Sequence, residues 1–139
     1  MKKITLAAVS VLTVLAMVFC LAACGQTPEQ KLNAYIESEA FQSQLTSMKS
    51  SFGSMMDMDV RAEESKLVYE ITYKTQIDSN LVDAVKSQLD TTFQAMASTF
   101  EGVADEIKEV VGIENPTVVI RLLNADKTEI TTIEFGTSK

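Results

Sequence analysis

Cys20 and Cys24 are the only two cysteines in this 139-residue chain, and they close an apolar run. A thiolate can be a nucleophile, a soft-metal ligand or half of a disulfide, so the surroundings of each cysteine decide its use. Histidine and tryptophan are absent. That excludes Ser-His-Asp and Cys-His catalysis and removes the commonest metal ligand. Serine with a lysine base remains formally open, at Ser47 near Lys49 or Ser65 beside Lys66. Such a lysine needs burial to lose its proton, and these pairs are simple neighbours in a chain rich in both types. The run Ser54 to Asp59, SMMDMD, offers thioethers for Cu(I) and carboxylates for a harder cation. No histidine supports it, and Met56 and Met58 alternating into a core with Asp57 and Asp59 in water explains the same residues. Glu101, Asp105 and Glu109 recur every four residues. They read as a solvated helix face, with a cationic partner as the sharper alternative. No catalytic residue, metal ligand or cofactor is assigned.

The cysteines belong to a distinct N-terminal segment. Met1-Lys2-Lys3 is a short positive start, and Ile4 to Ala23 carries no charge, the layout of a secretory signal. A retained membrane helix needs about 20 apolar residues and is the alternative. Leu21-Ala22-Ala23-Cys24-Gly25 ends the run and resembles the lipobox of bacterial lipoproteins. The resemblance implies a diacylglyceryl group on the Cys24 thiol and cleavage after Ala23, making residues 1–23 the signal peptide. Cys20 follows the bulky Phe19, where the pattern has a small residue. Two acyl chains, at about 0.8 kcal/mol per buried methylene, anchor stably where one does not. The expected location is the outer face of the cytoplasmic membrane, with no thiol left for other chemistry.

Removing residues 1–23 takes away Lys2 and Lys3, leaving 10 basic against 19 acidic side chains, a balance of −9. So acidic a domain lacks the cationic footprint of a nucleic-acid binder and is repelled by anionic lipid.

Residues 24–27 form a tether, and one domain spans 28–139. Thr27-Pro28-Glu29-Gln30 has the form of a capping box with proline at the first helical position. The apolar spacing predicts helix over 28–51, with a possible break near Ser38. Met56 to Ala62 and Leu67 to Tyr73 alternate with period two across a polar turn, a β-hairpin. From Leu81 to Val110 apolar residues recur at about 3.6, which predicts one long helix capped by Asp78, Ser79 or Asn80 and ended by Gly112. Asn115-Pro116 forbids continuation. At about 1.5 Å per residue that helix outruns any strand beside it, so one end overhangs the sheet or packs on the first helix. Thr117–Leu123 and Glu129–Phe135 form a second hairpin around Asn124 to Lys127. The expected fold is α+β in the order α-ββ-α-ββ, a four-stranded antiparallel sheet packed against one long and one shorter helix.

In that fold Val118, Ile120, Leu122, Thr131, Ile133 and Phe135 face the core. Val68, Val119, Arg121, Leu123 and Ile130 face the other way, among Glu70, Thr132 and Glu134. Either helix 28–51 crosses to cover this outer face, or it is a semi-apolar patch of the kind that marks a partner site.

LAACG at the anchor, KLVYEITY at 66–73 and the stretch from VKSQLD at 85 to NADKTEI at 124–130 are together similar to a family of small Gram-positive lipoproteins with an uncharacterised domain. The resemblance covers about residues 20 to 135, and NPTVV and LNAD are its most specific part. Lys127 stands where the family pattern leads one to expect glycine. The family brings a location and a fold grouping and no activity. The expectation is a non-catalytic, membrane-anchored module that binds another envelope protein or a peptide or small ligand. A small envelope enzyme, or a stress- or inhibitor-like protein, is the alternative.

Overall fold

The computed structural model describes residues 25–138. Residues 1–23, expected to be a signal peptide, and Cys24 lie outside the described residues. Thr27 caps the first helix, α1 (Pro28–Glu37), as its sequence demands. Its hydroxyl accepts from Gln30 N–H at 3.2 Å while the Gln30 amide accepts from Thr27 N–H at 3.0 Å, so two otherwise orphan donors are satisfied. The break falls at Ser38, which closes α1 and opens α2 (Glu39–Phe52). Its Oγ donates to Tyr35 O at 2.6 Å and accepts from Phe41 N–H at 3.3 Å.

Strands β1 (Met56–Glu63) and β2 (Lys66–Tyr73) form the expected hairpin. Met58 pairs with Ile71, Val60 with Tyr69 and Ala62 with Leu67, so both alternating sets share one face. Strands β3 (Thr117–Leu123) and β4 (Glu129–Phe135) form the second hairpin. The sheet order is β1-β2-β3-β4, and β2 and β3 run parallel. The sheet is therefore mixed, not antiparallel. The cause is the long connection from Lys74 to Pro116: helices carry the chain back along the sheet, and a parallel pair needs such a crossover.

That connection is not one helix. It divides into α3 (Val82–Ala95), α4 (Ala97–Glu106) and a π-helical turn, Ile107–Val111. The break is at Met96, whose φ of −97° and ψ of 8° lie in the bridge region. A straight helix would run about 48 Å against strands of about 24 Å. The bend folds this length back over the sheet and lets Phe93 and Phe100 approach to 6.0 Å between ring centroids, with Phe100 stacked on Phe135 at 4.9 Å. The π turn packs in part on α1. Leu81, with no side-chain cap, stands where Asp78, Ser79 or Asn80 was expected as N-cap. Gly112 ends the π turn at φ 75°, a conformation glycine adopts without strain, and Ile113 behind it is buried.

One apolar core joins the layers. Leu32, Tyr35, Phe41 and Leu45 of α1 and α2 meet Met58, Leu67, Tyr69 and Ile71, and Phe100, Ala104 and Ile107 meet Val118, Ile120 and Phe135. Helices α1 to α4 thus all lie on one face of the sheet. Among the described residues no helix is long and apolar enough to cross a membrane.

Candidate interaction surface

With the helices on one face, the helix expected over 28–51, present as α1 and α2, does not cross to the outer face. Yet that face is not bare: Val68 is 0% exposed, Val119 1% and Leu123 8%. None of the three belongs to the helix-side core. Long side chains lie across them. Arg121 on β3 reaches over β2 to Glu63 on β1, with Nη1 to Oε1 at 3.4 Å and Nη2 to Oε2 at 3.5 Å. Arg121 is in the row of Glu70 and Glu63 in the row of Lys66, so the pair passes over the row between, that of Val68. Arg61 closes the cluster, its Nε on Glu63 at 2.8 Å and Nη2 on Glu70 at 2.9 Å. Lys66 on β2 crosses β3 beside Val119 to Glu134 on β4 at 2.7 Å. Lys127 in the β3–β4 turn reaches Thr72, the partner of Leu123 across the β2–β3 pair, at 3.1 Å. The methylene stems of these cations cover apolar surface while their heads stay in water. The outer face is sealed by its own charged side chains, an outcome that neither sequence alternative contained.

Charge pairing shifts the groups concerned. The Arg61 guanidinium first, and Arg121 second, hold the Glu63 carboxyl below its ordinary value, and Glu134 raises Lys66. Thr132 Oγ1, in the row of Arg121, is the one buried side-chain polar atom without a hydrogen bond among the described residues.

Of the five residues assigned to this surface, Ile130 is on the other side. A bulge after Leu122 pairs Leu123 with Glu129 and leaves Ile130 as the additional residue; it turns into the helix-side core, 5% exposed. A bulge adds one residue to a strand and so breaks its strict alternation. Val68 and Val119 do face outward, but under the ion pairs, Leu123 faces outward beside the Lys127–Thr72 hydrogen bond, and Arg121 belongs to the cover.

The remaining candidates separate. Met56 and Met58 turn to the core and Asp57 and Asp59 to the opposite face, while Met55 is 68% exposed in the turn before β1. The sulfurs and carboxylates of SMMDMD therefore diverge. Asp57 holds Lys74 at 3.3 Å. In the carboxylate stripe, Asp105 accepts the Ser138 N–H at 3.0 Å and pins the C-terminal tail. Its neighbour Glu106 accepts the Tyr35 hydroxyl at 3.2 Å. Burial first, and the Glu106 charge second, push the Tyr35 and Tyr69 phenols well above their ordinary value.

Sequence reasoning missed a polar latch. Asn124, 2% exposed, donates to Ile77 O at 2.9 Å and accepts from Ile77 N–H at 2.8 Å and Ala125 N–H at 3.0 Å. Gln76 likewise accepts from Asp126 N–H at 3.0 Å. The latch closes the carboxyl ends of the parallel strands β2 and β3, the end at which open α/β sheets bind ligands. Asn in LNAD looks like an ordinary turn residue, and nothing local points to Ile77.

These layers define a small α+β domain, with a mixed four-stranded sheet covered by helices on one face and by ion-paired side chains on the other. Residues 32–135 match a Domain of unknown function (DUF4854), and the chain belongs to that family. No curated protein and no solved structure matches it.

Proposed function

We propose that this chain is a lipid-anchored extracytoplasmic protein of the bacterial envelope, held to the outer face of the cytoplasmic membrane through Cys24, and that its domain is a non-catalytic module binding another envelope protein or a peptide. The observation that carries the reading is the start of the fold at Thr27. The capping box follows the cysteine of LAACG with only Gly25 and Gln26 between them. Three residues span at most about 11 Å, so lipid on Cys24 keeps the domain at the membrane surface. The non-catalytic half is supported by which groups the fold perturbs. They are phenols raised by burial, the reverse of a nucleophile activated by a lowered pKa, and charges tied into ion pairs across the sheet.

Two measurements test the reading. Cys24→Ala in the full precursor is expected to release the protein from the membrane fraction, and continued membrane association would overturn the lipid anchor. Crosslinking on intact cells followed by mass spectrometry is expected to recover a specific envelope partner. Repeated recovery of none would overturn the binding role.

A further inference from the structure

The anchored end of the molecule can be located on the sheet. Glu29, in the first turn of α1, accepts the N–H of Glu64 at 3.1 Å. This fixes the helix start, two residues after the cap, to the β1–β2 turn. Ser65 in the same turn accepts the N–H of Thr117 at 3.2 Å, so the start of β3 lies there too. In register, Glu63, Lys66 and Thr117 form one end row of the sheet. The opposite end holds Met55, bonded through its carbonyl to Lys74 N–H at 3.0 Å, and the Asn124–Thr128 turn. Eight-residue strands separate the two ends by about 23 Å.

We infer that the domain stands on the β1–β2 turn, with Glu64 and Ser65 at the lipid headgroups and the Met55 and Asn124–Thr128 end directed away from the bilayer. The inference rests on the Cys24 anchor proposed above and adds the orientation. Two faces could otherwise lie flat on the membrane, and charge favours neither. The helical elements carry nine carboxylates against four lysines, which anionic headgroups repel. On the outer sheet face Arg61, Lys66, Lys74 and Arg121 are committed to carboxylates and Lys127 bonds the Thr72 hydroxyl, so among the described residues a single lysine is left to hold that face down. A macromolecule arriving from outside meets the latched end first, where Met55 stands 68% exposed.

The test uses the processed, lipidated protein, whose Cys24 thiol is consumed, with a single new cysteine at Ser65→Cys or Met55→Cys carrying a fluorophore. Each is reconstituted into phosphatidylcholine–phosphatidylglycerol vesicles containing lipids spin-labelled at the headgroup, and flotation is measured in parallel. Severalfold stronger quenching at position 65 than at position 55, in protein that floats, is the expected result. Equal quenching means a domain lying flat, and stronger quenching at position 55 an inverted one; either overturns the orientation and leaves the anchor standing. Protein that does not float overturns the anchor, and the orientation with it.

Discussion

The side-chain amide of Asn124 bonds both backbone groups of Ile77, at 2.9 and 2.8 Å, and so ties the β3–β4 turn to the segment that leaves β2. The amide imitates a neighbouring strand: it satisfies one donor and one acceptor that would otherwise be unpaired where the parallel strands end. Asn124→Ala removes three hydrogen bonds at a buried position, each worth about 1 kcal/mol, and leaves partners unsatisfied. A loss of about 2–4 kcal/mol is expected in urea unfolding. A change under about 0.5 kcal/mol would show that the latch contributes nothing.

Ile130 distinguishes the bulged register from strict alternation. In the bulged strand its side chain is part of the helix-side core, so Ile130→Ala is expected to cost about 2–4 kcal/mol. On a solvated outer face the same change would cost little. Chemical denaturation of this one variant decides between the registers.

Glu64 has φ 55° in the two-residue β1–β2 turn, and its side chain is exposed. A left-handed conformation costs a non-glycine residue about 1–2 kcal/mol, partly offset in a glycine variant by its larger unfolded-state entropy. Glu64→Gly keeps the N–H that Glu29 accepts. Its expected effect is a gain of about 0.5–1 kcal/mol, read as a higher urea midpoint at an unchanged slope.

Glu63 links stability to acid. Its folded pKa lies below the ordinary 4.5 because Arg61, and then Arg121, favour the carboxylate. Its contribution is therefore present above about pH 4.5 and is lost as pH falls through the lowered value. Glu63→Gln is expected to flatten the acid limb of a stability profile and to weaken its dependence on added salt. An unchanged limb would mean that the ion pairs do not survive in solution.

Tyr35 and Tyr69 set the alkaline limb. Both phenols are raised from 10.0 by burial and by Glu106, so the neutral forms belong to the fold and the unfolded chain ionises first. Their stabilisation is complete below about pH 10 and falls above it, by up to about 1.4 kcal/mol per pH unit for each tyrosine. Tyrosinate absorbance from these two residues is expected to appear together with loss of circular dichroism. Ionisation of both in a still-folded protein would contradict their burial.

Much of the architecture was legible in the residues because it is local. The capping box at Thr27, the break at Ser38, the glycine stop at Gly112 and the inward sets of β1, β2 and β3 follow from hydrogen-bond donors and side-chain periods within a few residues. Lys127, where glycine was expected, does adopt a positive φ of 69°, so that expectation read the backbone correctly. The candidate surface was legible only as a set of outward positions. Its state depended on partners far away in sequence, such as Arg121 and Glu63, 58 residues apart.

By itself the sequence determined which segments are helical and which are strands, the hairpin pairings and the facing of most side chains, since these repeat with the geometry of the backbone. Tertiary structure decided the rest. The parallel pairing of β2 with β3 depends on where the helical connection returns, and the bend at Met96 on fitting that connection to a sheet half its length. The inward turn of Ile130 depends on a bulge that no residue type announces. The sealed outer face depends on three strands lying side by side, because only then does an arginine on one strand reach a carboxylate two strands away across the valine between them.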